Sequence, residues 1–336
     1  MRGKGFKVWL GESKRYAGWL ALSVVFTVFV PAVARLGSVQ GGSLTGMQMA
    51  LWVNLSALVA LIPMVLLTRN WRQVQMHRRG KTFQMKWKDV LVIALVAVTW
   101  PFLYSIGYFS AVDHGAATLM TVVGRASVLV YIPLSVYVFG RRRLDRWDVA
   151  VMLVAVFAVA VALVGRISVS SSVWLVLAYI FLATLTQGFY TAVSEQWKDK
   201  HDPLLTVLVL EVTMVILMSA VLYLGNLGLT QEWKDLLHPP SISRLLATLW
   251  HPVLIGVAAN AVGFWANLAG FQSAADFEDD PSHKVVFLVL RIGLLTFGQI
   301  LLVALLTTEV VTLSAWIGAA ILVVGLVGYR IAKTRW

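Results

Sequence analysis

Ala97-Val-Thr-Trp100-Pro101-Phe-Leu-Tyr104-Ser-Ile-Gly107-Tyr108-Phe-Ser110-Ala111 and Asn260-Ala-Val-Gly-Phe264-Trp-Ala-Asn267-Leu-Ala-Gly270-Phe-Gln-Ser273-Ala274 stand in one register. Gly107 falls on Gly270 and Ser110 on Ser273; after a three-residue insertion, Arg125 falls on Arg291. Residues 97–166 and 260–330 therefore read as two copies of one pattern. Each copy starts in an apolar run long enough to cross a bilayer, about 20 residues for ~30 Å of hydrocarbon. Such runs recur at 16–36, 46–68, 89–112, 115–139, 147–165, 172–193, 203–224, 247–270, 284–307 and 310–331. Ten runs divide into five and five, and five is odd, so the second copy must enter the membrane from the opposite side. The expected fold class is an all-α integral membrane protein of ten transmembrane helices, built as two inverted five-helix repeats, 1–166 and 167–336, in one membrane domain.

Composition agrees with that reading. Of 336 residues, 59% are hydrophobic and 13% charged, which no soluble domain of this length matches. There are no cysteines, so disulfides and thiolate metal sites or nucleophiles are excluded. The net charge of +12 sits in short loops beside apolar runs, where it sets orientation; no nucleic-acid partner is expected. The first run has full span length and no small-residue cleavage pattern at its end, so it reads as an uncleaved first helix. The amino-terminal tail carries five basic residues, and the loop between runs two and three carries seven. With Arg141, Arg142, Arg143, Arg146, Lys198, Lys200, Lys284, Arg330, Lys333 and Arg335, twenty-two lie on one face; Arg35, Arg166, Lys234 and Arg244 lie on the other. Both termini are therefore expected in the cytoplasm, with the protein in a prokaryotic inner membrane. Linkers are punctuated by Gly41-Gly42, by Ser168 to Ser172 and by His238-Pro239-Pro240.

A small-then-large pair, Gly107-Tyr108, closes run three. It is followed by the tight turn Val112-Asp113-His114-Gly115-Ala116-Ala117. Gly140-Arg141-Arg142 and Trp147 join runs four and five, and Glu309, Leu313 and Trp316 hold the matching place in the second copy. On these residues, over nearly its whole length, the chain resembles the drug/metabolite transporter superfamily, in particular its EamA-like ten-helix carriers. The resemblance implies alternating access around a central cavity lined mainly by spans 1, 3, 4, 6, 8 and 9. Carriers of nucleotide sugars and triose phosphates in the same superfamily rely on basic groups in this region, which implies an organic anion.

A charge at mid-membrane costs roughly 2.5–3.5 kcal/mol on insertion scales, so it needs a partner or a watery cavity. Arg125 lies about ten residues into run four, and Arg291, in Val285-Val-Phe-Leu-Val-Leu-Arg291, about eight into run nine. Two such guanidinium groups repel unless an anion or a protein carboxylate lies between them. Their planar forks match phosphate or carboxylate bidentately, and pairing with Glu211 or with carbonyl groups is the structural alternative. Glu211, in Val207-Leu-Val-Leu-Glu211, reads as a coupling site, a counter-charge for arginine, or a residue near enough to the helix end to reach water. Tyr104, Tyr131, Gln187, Tyr190, Asn260, Phe264 and Asn267 complete the candidate substrate-binding set; for each, an interhelical hydrogen bond or simple packing is the bland reading. Trp100-Pro101 marks a kink, and Trp52, Trp174, Trp250 and Trp316 read as interface anchors.

The expected function is transport of a small, anionic organic metabolite, phosphate- or carboxylate-bearing, with the small molecule and the lipid bilayer as partners and no cofactor or metal. A homodimer is compatible with the sequence. The alternatives are an amino-acid or drug-type exporter, a lipid-phosphate translocase of the same superfamily, and a membrane prenyltransferase. The last needs two facing aspartate clusters. Asp276, Asp279 and Asp280 form one, a second is missing, and the cluster reads first as a solvated cap on a turn, with a gate or an ion site as its functional reading. No enzyme activity is expected.

Overall fold

The computed structural model describes residues 18–40, 46–78, 84–139, 143–164, 171–194, 201–226, 249–267, 269 and 281–335. The basic amino-terminal tail, the Gly41-Gly42 and His238-Pro239-Pro240 linkers, Arg166, Gly270, Ser273 and the acidic segment Asp276 to Asp280 lie outside them. So do the basic residues at 79–83, 140–142, 195–200 and 227–248.

Among the described residues every regular element is helical. Seven helices are long and apolar enough to cross a membrane. They are α1 (Gly18–Gly37), α2 (Gln48–Leu67), α3 (Trp87–Asp113), α4 (Ala117–Val138), α5 (Arg146–Leu163), α6 (Val173–Val193) and α7 (Pro203–Val221). Three more follow: α8 over 250–267, α9 (Pro281–Leu306, 26 residues) and α10 (Leu313–Arg335, 23 residues). A short polar helix, Arg69–Arg78, follows α2.

Large apolar side chains point outward. Leu95 is 72% exposed, Phe181 67% and Leu305 69%. A water-facing surface of that kind would aggregate, whereas hydrocarbon accepts it. This is an integral membrane protein.

Between the helices the core is built largely from alanine, including Ala50, Ala57, Ala111, Ala117, Ala155, Ala158 and Ala319, all fully or almost fully buried. Small residues permit close backbone approach, which is how helices associate where no hydrophobic force separates protein from lipid. Gly107 is an instance on α3. A Cβ there would stand 2.7 Å from the Tyr179 carbonyl oxygen and 3.0 Å from the Ala183 nitrogen on α6. α5 lies along α10, α3 along α6, and α2 along both α7 and α8.

Side chains tie the helix ends. Gly115, at φ 79°, makes the α3–α4 turn in the left-handed region that favours glycine. Arg35 on α1 donates through Nη1 to the Asp113 carbonyl at 2.7 Å and the Val112 carbonyl at 3.2 Å, capping α3. Glu309, between α9 and α10, accepts from the backbone N–H of Ala117 at 3.0 Å and of Thr118 at 2.9 Å. A carboxylate on exposed N–H groups at a helix start satisfies two orphan donors and complements the helix dipole. Removing a helix cap costs typically ~1 kcal/mol, and a charged acceptor somewhat more. Glu309→Ala is therefore expected to lower thermal stability by about 1–2 kcal/mol, with Glu309→Gln in between, read by unfolding in detergent. Equal stability of all three proteins would refute the role.

Candidate functional site

The site forms where the helices break. Proline lacks an N–H and disfavours the helical conformation in the residue before it. Accordingly Trp100 adopts an extended backbone (φ −142°, ψ 123°), which divides α3 into Trp87–Ala97 and Tyr104–Asp113 around a wide-turn segment, Val98–Leu103. The sequence expectation of a kink at Trp100-Pro101 holds. α4 breaks as well: its first piece, Ala117–Arg125, ends at Ala126 (φ −74°, ψ 4°), and the helix resumes at Val128. α8 carries a wide-turn segment over Ile255–Gly263. Non-helical backbone at this depth is tolerated where it lines a cavity rather than facing lipid.

These three helices surround a cavity of about 350 Å³, and α1, α6, α9 and α10 complete its wall. Arg125 and Arg291 both line it, as do Tyr104, Tyr131, Gln187, Asn260, Phe264 and Asn267. Arg125 occupies the last turn of the first α4 piece, where the unsatisfied carbonyl end of the helix favours a cation. Its Nη2 donates to Gln299 Oε1 at 3.1 Å, and Gln299 Nε2 in turn donates to the Thr27 carbonyl at 3.1 Å. The guanidinium is thus held by α9 and α1. Arg291, Leu295 and Gln299 all line the cavity, and their four-residue spacing puts them on one stripe of α9.

Opposite chemistry comes from rings. Trp100 stacks on Tyr190 at 4.1 Å between centroids and lies 4.6 Å from Phe264 and 5.8 Å from Tyr104; Tyr104 stacks on Tyr108 at 5.6 Å. Trp100 Nε1 donates to Gln187 Oε1 at 2.9 Å, which fixes the indole and engages the Gln187 oxygen.

Two candidate residues lie off the wall. Tyr190 is 4% exposed and backs Trp100, its hydroxyl buried without a hydrogen-bond partner. Glu211 is 1% exposed, so its place on α7 does not reach water as one sequence reading allowed. It interacts with the Asn260 side chain, its Oε2 is otherwise unpartnered, and Asn260 also reaches Asn54 Oδ1 at 3.4 Å. Arg125 has no carboxylate partner among the described residues; its hydrogen bond goes to Gln299, so the pairing with Glu211 entertained from the sequence is not formed by this residue.

Trp100, Tyr108, Gln299 and Tyr329 belong to the wall and were not among the candidates drawn from the sequence. Gln299 carried a usable signal, its eight-residue spacing from Arg291. Tyr329 carried none: its hydroxyl donates to buried Asp148 at 2.7 Å, a pairing 181 residues apart in the chain. No group of His, Asp and Glu suited to a metal ion occurs among the described residues.

No family model and no curated protein matches this chain. A protein of known crystal structure, 14% identical, is similar in fold, with a TM-score of 0.54 over 92% of this chain and 96% of its own. That likeness concerns the fold alone.

Proposed function

We propose that the chain is a carrier of the drug/metabolite transporter type that moves a small organic anion across the membrane by alternating access. The observation that carries this reading is the placement of Arg125 and Arg291 on the wall of one cavity whose described lining contains no Asp or Glu. Such a wall is positive and interleaved with amides and rings, and a phosphate or carboxylate is the group that guanidinium forks grip bidentately. Uptake of labelled organic phosphates and carboxylates into proteoliposomes tests it. Flux separates a carrier from a membrane enzyme or a non-transporting subunit, and transfer of lipid phosphates alone would favour a translocase.

Ten spans in two inverted halves remain the proposed architecture, and the packing supports it. Exchanging each helix with the one five places later turns the contact of α2 with α8 into that of α7 with α3. The same exchange turns α3 with α6 into α8 with α1, and α4 with α6 into α9 with α1; α5 with α10 and α2 with α7 map onto themselves. We place both termini in the cytoplasm of a prokaryotic cell on the asymmetry of the basic residues. Cysteines introduced at Ser170 and His238 are expected to react with impermeant reagents from the external face only, against a background free of native thiols. Labelling of both from the cytoplasmic side would overturn the topology.

Glu211 serves as a coupling group or as a counter-charge felt through Asn260. Glu211→Gln separates the two roles: coupling predicts loss of proton-driven accumulation with exchange retained, while a counter-charge predicts altered anion affinity in exchange itself.

A further inference from the structure

Resting on the anion-carrier reading, we infer that the cavity selects a substrate that carries a flat unsaturated ring on the same molecule as its anionic group, and that bears no ammonium group. The cavity brings two kinds of group together: the guanidinium groups of Arg125 and Arg291, and a set of rings of which Trp100, Tyr104, Tyr108 and Phe264 line the same space. The indole is held in place by its bond to Gln187 and by the Tyr190 ring behind it, so the aromatic set is pre-organised rather than adaptable. A pre-organised surface binds without first ordering its own side chains. Rings prefer rings in offset or edge-on geometry, beyond the gain from burying their area.

Size fits this class. A cavity of about 350 Å³ is at the small end for ligand pockets, enough for one ring and a short acidic arm. The second half of the inference comes from charge. An amino acid would bring an ammonium into a chamber that already holds two guanidinium groups, and the described wall carries no carboxylate to receive it. Glu211 stands behind Asn260 and is 1% exposed. A like charge brought against the guanidinium groups opposes binding.

The test uses the full-length protein in detergent or nanodiscs and four probes: phenylpyruvate, pyruvate, phenylalanine and 2-phenylethanol. Thermal shifts over a concentration series give their relative affinities. Phenylpyruvate is expected to bind about tenfold or more tightly than pyruvate, and more tightly than phenylalanine and the neutral alcohol. Phe264→Leu, which keeps most of the volume but removes the ring, is expected to reduce the ratio of phenylpyruvate to pyruvate affinity several-fold. Equal shifts from phenylpyruvate and pyruvate, or an unaltered preference in Phe264→Leu, would overturn the ring requirement and leave the anion reading standing. Phenylalanine matching phenylpyruvate would overturn the exclusion of ammonium. Should the alcohol alone stabilise the protein, with neither acid acting, the anion reading itself would fall.

Discussion

Proteoliposomes carrying Arg125→Glu are expected to take up no organic anion above the protein-free background. The charge on the cavity wall is reversed at a position whose hydrogen bond among the described residues goes to neutral Gln299. Truncating one partner of a desolvated charge pair costs about 2–5 kcal/mol, a loss of roughly thirty-fold to several-thousand-fold, and reversal adds repulsion. Arg125→Lys is expected to keep part of the flux, since an ammonium retains the charge and loses the planar fork. Arg291→Glu is expected to behave alike. Folding should be little affected, because Arg125 lines a cavity and is not part of the close-packed core. Flux and the yield of monodisperse protein are measured together. Wild-type flux in Arg125→Gln would remove the anion from the proposed mechanism and return the carrier to a neutral or cationic substrate.

The largest effect on stability is expected away from the cavity. Asp202 and Arg72 are 2% and 3% exposed and meet at 2.5 Å between Oδ1 and Nη1. Arg72 also donates from Nη2 to the Val65 carbonyl and from Nε to Thr68 Oγ1, each at 2.9 Å. Asp202 precedes Pro203, the first residue of α7, and accepts from the Leu205 N–H at 2.9 Å as a helix cap with proline at the first helical position. Removing one member of a buried pair strands the other charge, at a cost of about 3–5 kcal/mol. Asp202→Ala loses the cap as well and is expected at the upper end of that range, seen as a large fall in the unfolding midpoint. Asp202→Asn keeps a cap oxygen and should fall between Ala and the parent. A midpoint in Asp202→Ala within a degree of the parent would show that water reaches Arg72.

Helix positions were legible because hydropathy is a local property. The run at 89–112 emerges as Trp87–Asp113, and that at 115–139 as Ala117–Val138. The kink at Trp100 was legible too, since proline acts on its neighbour. What the kink does with the indole was not. Trp100 meets Gln187 and Phe264, both far along the chain, and no local pattern announces such pairings. The same holds for Glu309, whose carboxylate caps α4 across 192 residues. As sequence it marked only a repeat position. Arg125 stood out because a cation inside an apolar run is costly wherever the helix goes, whereas Gln299 beside it is neutral and raises no such alarm.

The clamp of Glu309 and the break at Ala126 are the two ends of one short piece of helix. In mechanical terms Ala117–Arg125 is a crank: pinned at its first residue to the α9–α10 turn, jointed at its last. A rigid helix so held resists sliding along its axis and turns about the pin instead. The guanidinium of Arg125 rides on the jointed end, about nine residues and hence ~13 Å from the pin, so a few degrees of rotation there would move it by roughly an ångström across the cavity. For the carrier proposed above, opening one mouth of the bundle and shifting the grip on the cargo would be a single stroke of the same part.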